Sequence, residues 1–326
     1  MSRQASVSAL TKAPIAVGKS KAAKPPQRPV TPERRRSNRR EAILFLVLIL
    51  PNIAAIVIFS YYPTAYNFIL SFMDWDLVAP FPEWVGLENY QRMFASPRFA
   101  EVLANTLLFT LVAVGGTLVL GLGVGQLLAQ RLKFSGFART MAFAPHMLPG
   151  AAVGVLWLFM FDPTYGLSRW LFNTVGLDSP NWTTTSDWSL WAVIIAYSWQ
   201  RLGFVTIIYY TAIQDLPQDV YEAAELDGAR GRKLFWYITR PLLSPVTFFL
   251  SVTGIISAAQ AFDIIATLTD GGPGSSSTTL NWMVYEEAFK KFDVGTSAAA
   301  ATVLFLILLV VTLIQARAQG RQVHYS

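Results

Sequence analysis

The chain has 326 residues, 53% hydrophobic and only 14% charged, with a formal net charge of +6 and a mean hydropathy of +0.40. A soluble domain carries about 25% charged residues, so the composition points to a membrane protein and excludes a disordered or fibrous chain. The absence of cysteine excludes disulfides, thiolate metal sites and cysteine nucleophiles. Two histidines, His146 and His324, are too few for a histidine-rich metal cluster.

Residues 1–40 hold 11 of the 26 Lys and Arg and one acid, Glu33. They read as a disordered basic tail whose arginines anchor the first span on the inner leaflet. A nucleic-acid- or lipid-binding arm is the other reading. Arg39-Arg40 before an apolar run also resembles a twin-arginine signal, but five further spans argue against a cleaved secretion signal.

Stretches 42–73, 102–130, 140–161, 241–262 and 294–316 contain no charged residue, and 188–214 contains one, Arg201. About 20 helical residues cross a bilayer core of about 30 Å. Unbroken rather than alternating apolar runs favour helices over barrel strands. Six spans are expected near 42–62, 105–129, 141–161, 189–212, 242–263 and 295–316. If the tail is cytoplasmic, 20 Lys and Arg fall inside and 5 outside, which satisfies the positive-inside rule and puts both termini in the cytoplasm. The expectation is an all-α membrane protein with one six-span domain, 41–326, behind a tail, 1–40.

Within the spans, Gly121, Gly125 and Ala129 share a helical face, and Ser297 and Ala301 do so in span six. Small residues at this spacing let helices approach closely, either within the chain or at a subunit interface. Arg201 lies near the middle of span four, where a cation costs about 2.5–3.5 kcal/mol to insert. It either meets a polar or anionic solute, or belongs to an internal pair. Asp263 lies near the outer end of span five, about 15 Å from Arg201 in depth at 1.5 Å per residue, which argues against a direct pair. Trp199, Gln200, Tyr209, Gln260 and Phe262 are further candidates for a polar or aromatic path. His146, at the inner start of span three, reads as a polar cap.

The loop 214–241 between spans four and five is not a passive linker. Five acids precede Gly228 and four bases follow it. Pro217 suits a helix start, and Gly228 can take the left-handed conformation that ends one helix and turns into the next. Two short helices at an angle are expected, either docking in another protein's groove or lying on the membrane.

Glu222-Ala223-Ala224, Gly228, Ile238 and Pro241 resemble the Glu-Ala-Ala loop of permease subunits of bacterial ABC importers, in register over 20 residues. Arg240 stands where that pattern has Leu. The stretches 84–90, 157–166 and 269–280 resemble outer segments of the carbohydrate-type permeases, and the C-terminal half is also similar to the glycerol-3-phosphate group. The resemblance covers the chain from about 42 onward.

It implies a cytoplasmic-membrane permease subunit that forms half of a pore with a second permease. Two ATPase subunits bind below, and an extracytoplasmic solute-binding protein delivers a sugar or sugar derivative. Glycerol-3-phosphate or a glycerophosphodiester is the alternative solute. Glu222, Ala223, Ala224, Asp227, Gly228, Ile238 and Pro241 then couple to an ATPase. Asp270, Gly271, Gly272, Pro273 and Gly274 face the binding protein. Trp199, Gln200, Arg201, Tyr209, Gln260, Phe262 and Asp263 are candidates for the path. ATP and magnesium belong to the partner subunits, since the chain has no phosphate-loop motif. No cofactor, metal or nucleic acid is expected on this chain. A secondary transporter would need intramembrane carboxylates, and only Asp263 is available. A membrane enzyme would need a zinc or nucleophile motif that the spans lack.

Overall fold

A computed structural model of the protein describes residues 32–130 and 135–320. Residues 1–31, and with them most of the expected basic tail, lie outside that range, as do Arg131, Lys133, Arg321 and His324. Two units are distinguished, 1–60 and 61–326.

In the first unit, α1 (Pro32–Ile56) starts eight residues earlier than the tail boundary expected, and Pro51 lies inside it. A π-helical turn (Val57–Tyr61) follows. The first candidate span covers Ile43–Leu70.

The second unit begins with α2 (Tyr62–Leu70). A two-residue hairpin, β1 (Met73–Asp74) against β2 (Glu83–Trp84), pairs Met73 with Trp84 and Asp74 with Glu83. At its tip the Asp76 carboxylate accepts the Val78 and Ala79 N–H groups at 3.0 and 2.8 Å. These donors, Ala79 first, hold the Asp76 pKa below the ordinary carboxylate value because they favour the charged form. Then come α3 (Glu88–Ala95) and the long α4 (Pro97–Ala129).

Span three is not the single helix expected at 141–161. It consists of α5 (Ser135–Phe143), a 3₁₀ turn (Ala144–Met147) and α6 (Gly150–Met160), and the two halves meet at 102°. Pro145 and Pro149 supply the cause, because proline lacks the N–H and clashes with the preceding turn. A short α7 (Leu167–Thr174) precedes α8 (Ser186–Gln214). Between α6 and α7, Asp162 accepts the Thr164 and Tyr165 N–H groups at 2.7 and 2.8 Å and is likewise held below its ordinary value.

After α8 come α9 (Gln218–Leu226), α10 (Arg232–Leu234), a π-helical turn (Phe235–Thr239) and α11 (Arg240–Leu242). Span five is also broken, since Arg232–Leu242 meets α12 (Ser244–Ala259) at 63°. Pro241 and Pro245 bracket that bend. The expected span 242–263 ends at Ala259, and Asp263 opens a new helix, α13 (Asp263–Leu268). The chain closes with α14 (Leu280–Tyr285), a π-helical turn (Glu286–Lys290) and α15 (Val294–Gly320). Four helices among the described residues are long and apolar enough to cross a membrane, or six if each bent pair is one span.

The seam between α4 and α8 is the frame of the second unit. A side chain at Gly121 would put its Cβ 2.6 Å from Val205 Cγ1, and one at Gly125 would meet the Thr206 carbonyl at 3.1 Å. The small-residue face therefore packs within the chain, where close van der Waals contact replaces the hydrophobic drive that lipid cannot supply. Ser297 also turns inward, donating to the Val284 carbonyl at 2.7 Å. Phe109, Val153, Val193, Ile265 and Trp282 fill the centre.

Candidate functional site

The break in span three and the interruption between Ala259 and Asp263 open onto one polar cavity. It is about 130 Å³ in volume, and Gln200, Arg201, Gln260, Phe262 and Asp263 line it with Tyr197 and Ser257. Five of the seven path candidates thus meet. Arg201 stands at the middle of α8. Its guanidinium carbon lies 5.4 Å from the Tyr197 ring centre, a cation–π contact. It makes no ion pair among the described residues, and its buried Nε has no hydrogen-bond partner.

Arg201 and Asp263 line the same space without pairing. The 15 Å depth gap rested on a continuous fifth span. The break after Ala259 instead turns α13 back against α6, where a Cβ on Gly150 would lie 2.8 Å from Asp263 Cβ. A second cavity of about 160 Å³ shares Tyr197, Arg201 and Ser257 and adds His146, Thr117 and Thr253. His146 packs between Phe143 and Phe204, and its Nδ1 has no partner.

Side-chain amides satisfy the main chain exposed by the breaks. Gln200 Nε2 donates to the Leu148 carbonyl at 2.8 Å, and Asn281 Nδ2 donates to the Gln260 carbonyl at 3.1 Å. Gln200 therefore acts partly as a structural brace. Two candidates stand elsewhere. Trp199 packs edge-on against Trp157 at 5.8 Å. Tyr209 is buried beside Gly125, with its hydroxyl 3.0 Å from Thr247 Oγ1. Tyr197, Ser257 and Gly150 were missed because their types are unremarkable in an apolar run. The prolines at 145 and 149 were the available signal for a break.

At the C-terminal end of α8, the loop forms two helical segments, α9 and Arg232–Leu242. Gly228 has φ +81. Its N–H donates to the Glu225 carbonyl at 3.0 Å, and the Ala229 N–H donates to the Ala224 carbonyl at 2.9 Å. This pair of bonds is the Schellman motif, which satisfies the last carbonyls of α9. Tyr221 ties α9 to the second helix through a 2.9 Å bond with Thr239, and Ala224 is buried beneath it. Glu222, Ala223 and Asp227 are exposed, and Leu226 is 89% exposed. Ile238 is half-buried and Pro241 exposed. The acids of α9 form no ion pair among the described residues.

The segment after α13 is tightly packed. Asp270 pairs with Lys290 at 2.7 Å and, with Gly274, is exposed. Gly272 and Pro273 are half-buried. Gly271 is buried against Trp282, whose ring fills the space of a side chain, so it supports the segment and does not face outward. Arg98 at the start of α4 donates to Ser275 at 2.9 Å and to Glu287 at 2.7 Å, and also pairs with Glu286.

Comparison with known proteins places this geometry. Residues 117–324 match the family described as the inner membrane component of binding-protein-dependent transport systems. The chain is 32% identical to the sn-glycerol-3-phosphate transport system permease protein of Agrobacterium fabrum, over 87% of this chain and 97% of that one. It is 32% identical to the trehalose/maltose transport system permease protein of Thermococcus litoralis, over 84% and 93%. Its fold is similar to a chain in the crystal structure of a bacterial ABC transporter for the acidic polysaccharide alginate, with a TM-score of 0.76, 22% identity, and coverage of 88% of this chain and 99% of that one. The secondary-transporter and membrane-enzyme readings fall with these matches. A multi-pass membrane chain with two broken spans around a polar cavity and a Glu-Ala-Ala loop beyond them, this protein belongs to the binding-protein-dependent ABC importer permeases.

Proposed function

We propose that the chain crosses the cytoplasmic membrane six times with both termini inside, each bent pair counting as one span. It forms half of a translocation path with a second permease. Two ATPase subunits dock at the loop 214–241, with α9 as the inserted helix. Glu222 offers a carboxylate to a basic groove, and Gly228 permits the turn. ATP and magnesium stay on those subunits. Closure of the ATPases would rock the spans between inward- and outward-open states, because the two states differ in their affinity for the closed dimer. Asp270 and Gly274 are the exposed residues of the outer segment suited to meet the solute-binding protein.

The observation that carries the solute reading is the cavity uniting Arg201, Gln200, Gln260 and Asp263. It offers one cation, one carboxylate and neutral amides. A sugar hydroxyl both donates and accepts, so it can satisfy Arg201 and Asp263 together, and Phe262 offers a ring face. A neutral sugar or sugar derivative fits this charge-balanced lining. Glycerol-3-phosphate is the second reading. It is favoured by the lack of a carboxylate partner for Arg201 and by the similarity to permeases named for that solute. A guanidinium grips phosphate through two hydrogen bonds.

The test is uptake by the complete transporter in proteoliposomes, after mass spectrometry has identified the co-purifying subunits. Arg201→Ala should lower uptake with the subunits still assembled. Arg201→Lys should rescue a neutral sugar better than a phosphate ester. Unchanged uptake in Arg201→Ala would remove Arg201 from the path.

A further inference from the structure

The loop divides its charge at Gly228. Residues 215–227 carry five acids and no base, whereas 229–243 carry Arg230, Arg232, Lys233 and Arg240 and no acid. The acidic half is the part proposed to dock on an ATPase. The basic half is not absorbed by that role, and Arg240 departs from the family pattern.

Arg240 stands at the mouth of a groove of about 370 Å³ between α4 and the helix Arg232–Leu242. Its guanidinium lies 5.0 Å from the Trp236 ring centre, and it makes no ion pair among the described residues. Trp236 is 46% exposed. The opposite wall is Leu118, Leu122 and Gly123, ending at Gln126. A Cβ on Gly123 would meet nothing within 4 Å. From residue 118 to residue 126 the wall is about 12 Å long at 1.5 Å per residue, and it is apolar until its last member. The groove thus has an apolar α4 wall, a Tyr209–Thr247 hydroxyl pair bonded to each other at 3.0 Å, an amide at one end, and at its mouth a guanidinium on an aromatic ring with no ion pair among the described residues.

We propose that this groove holds an anionic phospholipid of the inner leaflet. One acyl chain lies along Leu118–Gln126, and the phosphate sits on Arg240 beside Trp236. Aromatic rings and cationic side chains occupy the headgroup level in membrane proteins, and basic segments next to a span attract anionic lipid. A phospholipid alone matches both ends of the groove, whereas a soluble anion would leave the apolar wall bare. The lipid would sit against the second half of the coupling loop and bias its position by its headgroup charge.

The assignment rests on the orientation proposed above, and the two can be tested apart. The chain has no cysteine, so Gly136→Cys, at an exposed position before α6 that is outside the docking helix, gives this subunit a single thiol. Labelling of that thiol only from the inner side supports the orientation, and labelling from outside removes it.

For the lipid, the purified complete transporter is titrated with equal phosphatidylglycerol and phosphatidylcholine. Only intact assemblies are scored by native mass spectrometry. Phosphatidylglycerol should be retained about fivefold over phosphatidylcholine, the preference one basic residue near an anionic surface supplies. Arg240→Leu should abolish most of that preference. Equal retention in the unaltered transporter, an undiminished preference in Arg240→Leu, or displacement by inorganic phosphate would overturn the proposal. In a second measurement, Gly123→Cys carries a fluorophore in the assembled transporter, and dibrominated phosphatidylglycerol should quench it. Absence of quenching would show the groove covered by another subunit and refute the lipid.

Discussion

Gly228 offers a graded test of the coupling loop. Its φ of +81 lies where an L-residue pays about 1–2 kcal/mol, and where Asn is tolerated better than Ala. A Cβ there would meet nothing within 4 Å, so no steric term is added and the series reads backbone conformation alone. Gly228→Asn should therefore cost under about 1 kcal/mol and Gly228→Ala about 1–2 kcal/mol. Gly228→Pro fixes φ near −65° and removes the N–H bonded to Glu225, so the motif cannot form and the cost exceeds about 3 kcal/mol. One factor of ten in affinity corresponds to about 1.4 kcal/mol. Binding of the ATPase subunits should weaken by about five- to twenty-five-fold for Ala, by less than about fivefold for Asn, and be lost for Pro. The assay is subunit retention and solute-stimulated ATP hydrolysis in proteoliposomes, at equal membrane levels of the chain. Normal coupling in Gly228→Pro, or Ala and Asn equal to each other and to the parent, would refute the reasoning.

Other perturbations separate packing from surface. A side chain at Gly203 would strike the Ala142 carbonyl backbone, whereas one at Gly116 meets open space. Gly203→Ala should lose about 1–3 kcal/mol through overpacking, and Gly116→Ala should be neutral or gain up to about 1 kcal/mol in helix propensity. Thermal unfolding in detergent checks both, and equal melting temperatures would contradict the close packing of α8 on α5. Arg98→Ala leaves Glu287, which is 8% exposed, with Lys291 at 2.7 Å as its remaining cation. Since Arg98 itself is 25% exposed, the loss should fall to about 1–2 kcal/mol, below the 3–5 kcal/mol of a fully buried pair. Faster amide exchange around Ser275 would report it. Asp76 and Asp162 have lowered pKa values in the folded chain, so their turns are supported above the ordinary carboxylate value and lose that support as pH falls through the lowered one. Exchange protection at Val78, Ala79, Thr164 and Tyr165, corrected for intrinsic rate, should fall over that acid range, and flat protection would remove the capping role.

Much of this architecture was legible because charge and hydropathy are one-dimensional signals. Stretches with at most one charge located the long helices α4, α8, α12 and α15 but not the short α3, α7, α9 and α13, and Gly228 between acids and bases announced its turn. The small-residue face of α4 was visible too, but only contact with Val205 and Thr206 shows that it closes on α8. The breaks were harder to read, since Pro145, Pro149, Pro241 and Pro245 sit in runs as apolar as any unbroken span. The meeting of Arg201 with Asp263 comes instead from the break after Ala259, which no proline marks. Trp199 and Tyr209 stand outside the cavity lining for the reverse reason: on a straight helix near Arg201 an aromatic residue suggests the path, yet their faces of α8 turn to Trp157 and to Gly125. Gly271 looked like outer loop surface until Trp282 was seen to fill its side.

The braced carbonyls at the two breaks bear on how such a chain changes its cargo. Gln200 and Asn281 hold main-chain oxygens at the edge of the cavity, and a backbone oxygen stays the same whatever side chain its residue bears. The rim of the cavity is therefore a fixed scaffold, while Phe262 and Ser257 are replaceable furniture. Mutation can retune which solute is accepted at those two positions without rebuilding the helix breaks, provided that the two amides are left in place.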